Sequence, residues 1–222
     1  MQRLRLAEKA PTGLEVWCLA LDLNAPVVDE DYRLLNRAEW QRAQQFRHHA
    51  DVVRTVATRA ALRRRLSAHT GVAADKLVFT HNAYGKPRLK SVDGPAFNVS
   101  HSGDVALIAL ASGGAVGVDI ERRRPEAELV SLNDLVLSPS ERRTLDSGGA
   151  VLPFIERWVI KEAVLKALGL GIADHLQALS ITPSLGPPTT YHLEHSLSVS
   201  SPLRAWPLPA PSGYAAALGY VD

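Results

Sequence analysis

The segment from Gly117 to Glu121 is apolar except for two carboxylates, and it places the strongest constraint on how this chain folds. Such a short apolar run is typical of a β-strand, in which alternate side chains point to the same face. Asp119 and Glu121 are two residues apart, so both carboxylates should project from one face. Because strand interiors disfavour Asp, this pair indicates a functional site more than an exposed strand face.

A second segment, Trp158 to Lys166, has the apolar spacing of a helix that continues to the glycines at 169 and 171. Glu162 and Lys166 are four residues apart and therefore stack on one side of that helix. The alternative is an ordinary surface salt bridge, worth only about 0.3–0.5 kcal/mol. If the two segments meet, three carboxylates and one ammonium converge, which suits a divalent cation and a phosphate-bearing substrate.

Composition restricts the class of protein. The chain has 222 residues, of which 46% are apolar, enough for a substantial core in one large domain or two small ones. Cys18 is the only cysteine, which excludes an internal disulfide and a cysteine-based zinc site and fits a reducing compartment. No signal peptide is evident at the charged N-terminus, and the most apolar run, Val105 to Ala111, is too short to cross a bilayer. We expect a cytoplasmic protein without a membrane partner.

Charge is divided unevenly between the halves. Residues 1–100 contain 16 Lys and Arg against 10 Asp and Glu, a balance of +6, whereas residues 101–222 contain 9 against 13, a balance of −4. A basic half can attract a polyanion and an acidic half can hold a metal, although an incidental distribution of solvated charge is an equal alternative. A net charge of only +2 and the lack of a nucleic-acid-binding motif argue against nucleic acid.

The order of elements predicts an α+β fold with two lobes and a cleft between them. Each half runs from a short helix into a longer helix and then into strands, with the division placed between residues 112 and 113. The helical regions are predicted at 36–66, from 138, where Ser138 and Glu141 have capping-box spacing, and at 153–168. Strands are predicted at 15–23, 77–79, 97–100, 105–111, 116–120, 178–182, 189–193, 197–200 and 213–221, with turn residues at 82–87 and a proline-rich connection at 202–211.

Four blocks in a fixed order resemble those of 4′-phosphopantetheinyl transferases of the surfactin-synthetase-activating (Sfp-like) type. The blocks are Tyr84-Gly85-Lys86-Pro87, Phe97-Asn98-Val99-Ser100-His101-Ser102, Gly117-Val118-Asp119-Ile120-Glu121 and Trp158 to Lys166. The resemblance covers the chain from about residue 36 to 171. It implies two pseudo-symmetric lobes with the active site at their interface, residues 1–112 forming the coenzyme A side and residues 113–222 the metal and catalytic side.

The resemblance also implies a reaction and its participants. The 4′-phosphopantetheine arm of coenzyme A is moved to a serine of an apo carrier protein, leaving adenosine 3′,5′-bisphosphate. Mg²⁺ is the expected cofactor, with Mn²⁺ as an alternative, and we expect a monomer. The family commonly docks the carrier through the segment corresponding to residues 129–154. The sequence does not distinguish fatty-acid, polyketide, nonribosomal-peptide or siderophore carriers.

The roles follow from the same resemblance. Asp119, Glu121 and Glu162 are the expected metal ligands, which requires the Asp119 and Glu162 carboxyls to lie within about 10 Å of each other. Glu162 is also the candidate base for the carrier serine, and Lys166 the phosphate contact. The remaining coenzyme A residues are expected to be Arg42, Arg54, Thr55, Tyr84, Gly85, Lys86, Pro87, Ser100 and His101.

Several neighbouring residues are assigned to structure instead. Arg59 and the run Arg63 to Arg65 are interpreted as a solvated helix face, Trp158 as packing, and Lys161 as an ion-pair partner. Two rival functions remain open: a metal-dependent phosphohydrolase acting on a nucleotide, and a coenzyme A-binding regulator with a degenerate site.

Overall fold

The computed structural model describes residues 1–171, 174–183 and 191–222. Its first half contains strands and helices in the following order: β1 (Gln2–Arg3), β2 (Leu14–Ala20), α1 (Asp29–Leu34), α2 (Arg37–Gln44), α3 (His49–Thr70), β3 (Phe79–His81), β4 (Pro87–Leu89), β5 (Ala96–Ser102) and β6 (Val105–Ala111). The second half contains β7 (Ala115–Arg122), α4 (Glu126–Leu129), α5 (Asn133–Val136), α6 (Pro139–Asp146), α7 (Phe154–Leu168), β8 (Leu179–Pro183), β9 (Tyr191–His195), β10 (Leu203–Pro207) and β11 (Tyr214–Val221).

Each half builds one main antiparallel sheet, covers it with one long helix and adds a two-stranded antiparallel sheet, β3-β4 in the first half and β8-β9 in the second. The N-terminal lobe is the sheet β1-β2-β6-β5 with helices α1 to α3, and the C-terminal lobe is the sheet β10-β11-β7 with α4 to α7. The predicted α+β class with two lobes is confirmed. The division of the chain between residues 112 and 113 stays a prediction.

The two sheets face each other, so the molecule has four layers, helix, sheet, sheet and helix. Strand β6 explains this arrangement, because all seven of its residues are buried. Ala106, Ile108 and Leu110 pack toward α3, whereas Leu107 and Ala109 pack toward the second sheet. A strand buried on both faces reads as a continuous apolar run, as this one does in the sequence.

Helix α7 lies unusually close to its sheet because two glycines face it. Gly117 on β7 and Gly219 on β11 are cross-strand partners. A Cβ atom at either position would come within 2.0 or 2.5 Å of the Ala163 carbonyl oxygen of α7. Only glycine permits this approach of helix backbone to strand backbone.

Two predictions about the C-terminal region are wrong. No strand forms at 197–200, and the proline-rich stretch 202–211 contains β10 instead of being only a connection. Among the described residues β10 pairs only with β11, at the edge of the sheet, and its proline is the last residue, Pro207, where a missing N–H costs no ladder bond. The strand predicted at 189–193 begins at Tyr191, and residues 189 and 190 lie outside the described residues.

The expected solvated face at Arg63 is also wrong. The Arg63 side chain is fully buried. Its guanidinium donates to Glu39 Oε2 at 2.7 and 2.9 Å and to the carbonyls of Ala74 and Leu77 at 2.7 and 3.0 Å. A buried charge is tolerated when it is paired and hydrogen-bonded in this way.

Helices long and apolar enough to traverse a bilayer are absent from the described ranges 1–171, 174–183 and 191–222.

Candidate active site

Lys166 joins the two carboxylate-bearing segments. Its ammonium lies 2.5 Å from Asp119 Oδ1 on β7 and 3.0 Å from Glu162 Oε2 one turn earlier on α7. These two oxygens are therefore at most about 5.5 Å apart, the sum of the two distances, well inside the separation that the metal hypothesis requires. Asp119 and Glu121 are on the face of β7 that α7 covers, opposite Ala217 and Ala215.

Two serines of β5 hold the carboxylates from the other lobe. Ser100 Oγ donates to Asp119 Oδ1 at 2.7 Å and is also 3.3 Å from the Lys166 ammonium. Ser102 Oγ donates to Glu121 Oε2 at 2.8 Å. Ser100 is predicted from the sequence to bind coenzyme A, whereas Ser102 has no predicted role. Alternation along β5 was the signal that could have grouped them, because residues two apart share a face.

Burial and neighbouring charges shift the pKa of Glu162, Glu121 and Lys166. Loss of solvent, followed by the Asp119 charge, raises the pKa of Glu162 to about 7. Burial also raises the pKa of Glu121, and the Asp119 charge adds to this. Although burial alone would lower the pKa of Lys166, the Asp119 and Glu162 carboxylates raise it overall. Divergent environments of this kind are typical of sites that move protons.

The donor set fits a hard divalent cation. Asp119 is 1% exposed, and its Oδ2 atom has no hydrogen-bond partner among the described residues. An orphaned buried carboxylate oxygen beside two further acids is a site that an oxygen-preferring ion would satisfy. In the described part of the chain, no three His, Cys, Asp or Glu side chains already converge on one point, and the Lys166 ammonium stands between Asp119 and Glu162.

A cleft of about 390 Å³ borders this cluster and is lined by Asp119, Glu121 and Lys166 together with Ser100 and Pro87. A second cleft, of about 220 Å³, lies between α2, α3 and β5. The two clefts adjoin each other, since four residues line both. The shared residues are Arg59, Leu62, Val99 and His101.

The two adjoining clefts bring together some of the residues expected to bind coenzyme A. Arg42 and Thr55 line the second cleft, and His101 lines both. Desolvation and the Arg54 guanidinium lower the pKa of His101. Arg59 also faces this cleft, one helical turn after Thr55, so its interpretation as a solvated face is wrong; the i, i+4 spacing was the available signal.

Arg54 is tied to the protein itself. Its Nε donates to the Gly103 carbonyl at 2.9 Å, and its Nη1 pairs with Asp51. The guanidinium therefore braces the turn between β5 and β6. A part in coenzyme A binding stays a prediction for this residue.

The residues of the turn from Tyr84 to Pro87 differ in what they contact, since one lines the cleft and another binds the backbone of the protein. Tyr84 is exposed, Gly85 has a positive φ of 82° that suits glycine, and Pro87 lines the carboxylate cleft. Lys86 points elsewhere, because its ammonium donates to the carbonyls of Val116 at 3.0 Å and Ala167 at 2.7 Å. Burial lowers the pKa of Lys86 to about 8, with Arg88 adding to the shift.

Lys161 and Trp158 belong to the packing of α7. The fully buried Lys161 ammonium lies 2.7 Å from Glu141 Oε2 and 2.6 Å from the Val136 carbonyl. Trp158 stacks on Phe154 with ring centroids 5.8 Å apart. Both placements agree with their structural interpretation.

Comparison with known proteins gives two family matches that together span most of the chain. Residues 115–218 match the 4′-phosphopantetheinyl transferase superfamily, and residues 28–113 match the family described as 4′-phosphopantetheinyl transferase, N-terminal. The chain is 33% identical over 182 residues to the 4′-phosphopantetheinyl transferase HetI of Nostoc sp., covering 77% of this chain and 75% of HetI.

Two further relatives are more distant. A phosphopantetheinyl transferase of Thraustochytrium sp. is 30% identical over 191 residues, which covers 78% of this chain and 66% of that protein. The 4′-phosphopantetheinyl transferase Sfp of Bacillus subtilis is 26% identical over 142 residues, or 64% of this chain and 63% of Sfp.

Proposed function

Because this chain belongs to the 4′-phosphopantetheinyl transferase superfamily and is a transferase, we propose that it moves the 4′-phosphopantetheine arm of coenzyme A to a serine hydroxyl of an apo carrier protein. Adenosine 3′,5′-bisphosphate would be the second product. The observation that carries the proposal is the Lys166 ammonium shared by Asp119 and Glu162, beside a cleft that Asp119 and Glu121 line and that adjoins a second cleft with basic side chains.

Glu162 is the proposed base. In the metal-free protein its pKa is raised to about 7, and its carboxylate can accept the proton of the serine hydroxyl and return it to solvent. Its position one turn before Lys166 keeps the base next to the phosphate contact. The serine oxygen then attacks the phosphorus that bears the pantetheine arm, and the bond to the bisphosphate oxygen breaks.

Asp119, Glu121 and Glu162 are the proposed holders of Mg²⁺, which when bound would neutralise charge on the pyrophosphate as the bond breaks. Lys166 supplies the protein's own positive charge to that group. Its ammonium now serves two carboxylates, and binding of a metal to those carboxylates would free it to contact a phosphate oxygen.

Cations of the N-terminal lobe are proposed to bind the nucleotide end of coenzyme A. The second cleft is lined by Arg42, Thr55 and His101. Arg59 lines both clefts. Guanidinium groups and hydroxyls are suited to phosphate oxygens, and a partly desolvated cleft strengthens such contacts.

The carrier is proposed to dock on the C-terminal lobe between residues 129 and 154. Val130, Leu132, Leu135 and Leu145 are large apolar side chains that are exposed in this segment. Val136 and Leu137 are buried and belong to the core. Clustered exposed apolar side chains of this kind are typical of protein interaction sites.

We further infer the Sfp-like type, supported by the four ordered motifs and by the identity to Sfp.

A mass measurement tests the function directly. The protein is incubated with coenzyme A, Mg²⁺ and several apo carrier proteins, and each carrier is weighed by mass spectrometry. We expect a gain of one phosphopantetheine group on at least one carrier. No gain on any carrier contradicts the proposal, and release of phosphopantetheine to water in a carrier-free control would favour a hydrolase.

A further inference from the structure

The two lobes meet along a line of side-chain hydrogen bonds between β5 and β7. Asn98 Oδ1 accepts from the Val118 N–H at 2.9 Å, and Ser100 Oγ lies 3.4 Å from the Ile120 N–H. Ser102 Oγ accepts from the Arg122 N–H at 3.1 Å. We call Asn98, Ser100 and Ser102 the seam.

The seam supplies hydrogen-bond acceptors to backbone N–H groups that an edge strand would otherwise leave unpaired. β5 is the last strand of one sheet and β7 the last strand of the other. Every second N–H of an edge strand points away from its sheet and needs an acceptor when it is buried. Side chains of β5, spaced two residues apart, provide those acceptors in place of a backbone ladder, and this fixes the register of one lobe against the other.

Two members of the seam also donate. Ser100 donates to Asp119 and Ser102 donates to Glu121, whereas Asn98 contacts neither carboxylate. Each of these two serine hydroxyls thus accepts a hydrogen bond from a backbone N–H of β7. Each also donates its O–H to the carboxylate of the residue that precedes that N–H on β7. The hydrogen bond from the β7 backbone fixes the position of the serine side chain. The serine hydroxyl in turn fixes the orientation of the carboxylate.

Ser102 is held firmly enough to orient its partner. The turn after it is pinned by the Arg54 bond to the Gly103 carbonyl. A Cβ atom at Gly103 would come within 2.3 Å of the Tyr214 hydroxyl, and that hydroxyl donates to Asp104. Contacts from α3 and β11 therefore converge on the turn that carries Ser102.

We propose that Ser102 is a positioning residue, which orients the Glu121 carboxylate toward the ion held with Asp119 and Glu162. This inference rests on the proposed metal role of those acids. Removing a hydrogen-bond partner of a metal ligand commonly lowers metal affinity by about 10- to 100-fold. Loss of the Ser102 hydroxyl should do the same here, since Glu121 would lose the hydrogen bond that sets the direction of its carboxylate.

The test measures the binding of Mn²⁺ alone to the full chain, with electron paramagnetic resonance as the readout. Ser102→Ala is expected to weaken Mn²⁺ binding about tenfold or more, and Ser102→Thr, which keeps the hydroxyl, should restore it. Ser112→Ala is the matched control, because Ser112 is an exposed serine whose hydroxyl contacts only the Gly13 carbonyl among the described residues. Circular dichroism of each variant checks that it is folded.

Unchanged Mn²⁺ affinity in Ser102→Ala overturns the proposal, as does a loss that Ser102→Thr does not restore. A wild-type protein that binds no Mn²⁺ overturns it together with the proposed metal site. The transfer reaction is judged separately by the mass of the carrier. A protein that shows the expected Mn²⁺ pattern but modifies no carrier would contradict the proposed function and leave the role of Ser102 standing.

Discussion

Helix α7 carries two lysines that pair with carboxylates, and their surroundings differ in one respect. The Lys161 ammonium is bonded to Glu141 and to the Val136 carbonyl, and both oxygens of Glu141 are used, by the N–H groups of Ser138 and Ile181. The Lys166 ammonium is shared by Asp119 and Glu162, while Asp119 Oδ2 has no partner within the described ranges.

The difference separates a structural ion pair from a reactive cluster. The pair around Lys161 is closed, because each buried polar atom that takes part has a protein partner. The cluster around Lys166 has three acids for one ammonium and an oxygen left over, so it is electrostatically incomplete without a ligand. The Lys161 pair and the Lys166 cluster are both buried, so burial of charge alone does not distinguish them. They differ in whether every buried polar atom has a hydrogen-bond partner.

The largest expected effect is on chemistry at the incomplete cluster. Asp119→Ala and Glu162→Gln should each lower the rate of phosphopantetheine transfer, by roughly 10²- to 10⁴-fold for loss of the general base. Both variants should keep the fold. Asp93→Ala, a change at an exposed loop acid, is the matched control. Turnover near the wild-type rate in Asp119→Ala would refute the metal assignment.

The next effect falls on stability at the closed pair. Lys161→Met leaves the Glu141 charge buried without its partner and should lower the free energy of unfolding by about 3–5 kcal/mol. Lys166→Met should lower it less, because Glu162 has a raised pKa and can become neutral, and because Ser100 still donates to Asp119. Urea denaturation of both variants measures this. Equal losses would mean that the two lysines do not differ as described.

The pH dependence of stability gives a smaller, directional test. In the metal-free protein the pKa of Glu162 is about 7 against an ordinary value of 4.5, so between these pH values the folded state keeps a proton that the unfolded state has lost. The free energy of unfolding should therefore fall as pH rises from about 4.5 to 7, by on the order of 2–3 kcal/mol. Glu162→Gln should reduce this slope and leave the smaller contribution of Glu121, whose pKa is also raised by burial. A slope that is unchanged in the variant would assign it to another group.

The smallest effect concerns the seam at Asn98. Asn98→Ala leaves the buried Val118 N–H without an acceptor and should lower the free energy of unfolding by about 1–3 kcal/mol. Ser112→Ala should change it little. If chemical denaturation gives the same midpoint for both variants, the side-chain bonds of the seam do not hold the lobes together.

Local signals in the sequence predicted the reactive elements well. Helix α7 lies between Pro153 and Gly169, and strand β7 is apolar except for its two acids and the terminal Arg122, so both can be located from the sequence alone. Residue spacing also predicted which side chains share a face, for Asp119 with Glu121 and for Glu162 with Lys166.

The failures come from partners that are distant in the chain. The sequence around Arg63 is typical of a surface residue. Its burial depends on the carbonyls of Ala74 and Leu77, which accept hydrogen bonds from its guanidinium. β10 reads as a connection because prolines surround it, and only its place at a sheet edge makes them acceptable. Likewise, no local pattern pairs Ser102 with Glu121, since that contact depends on how one lobe lies against the other.

The glycine pair under α7 has a consequence for how such a protein can vary. Gly117 and Gly219 set the height of the helix above the strands, and hence the gap that Lys166 and Glu162 must bridge to reach Asp119. Neither glycine has a side chain that could touch a reactant. A single methyl group at either position would still lift the helix from the strands and widen the distance across which the acids cooperate, so the spacing of the reactive groups is governed from behind the site.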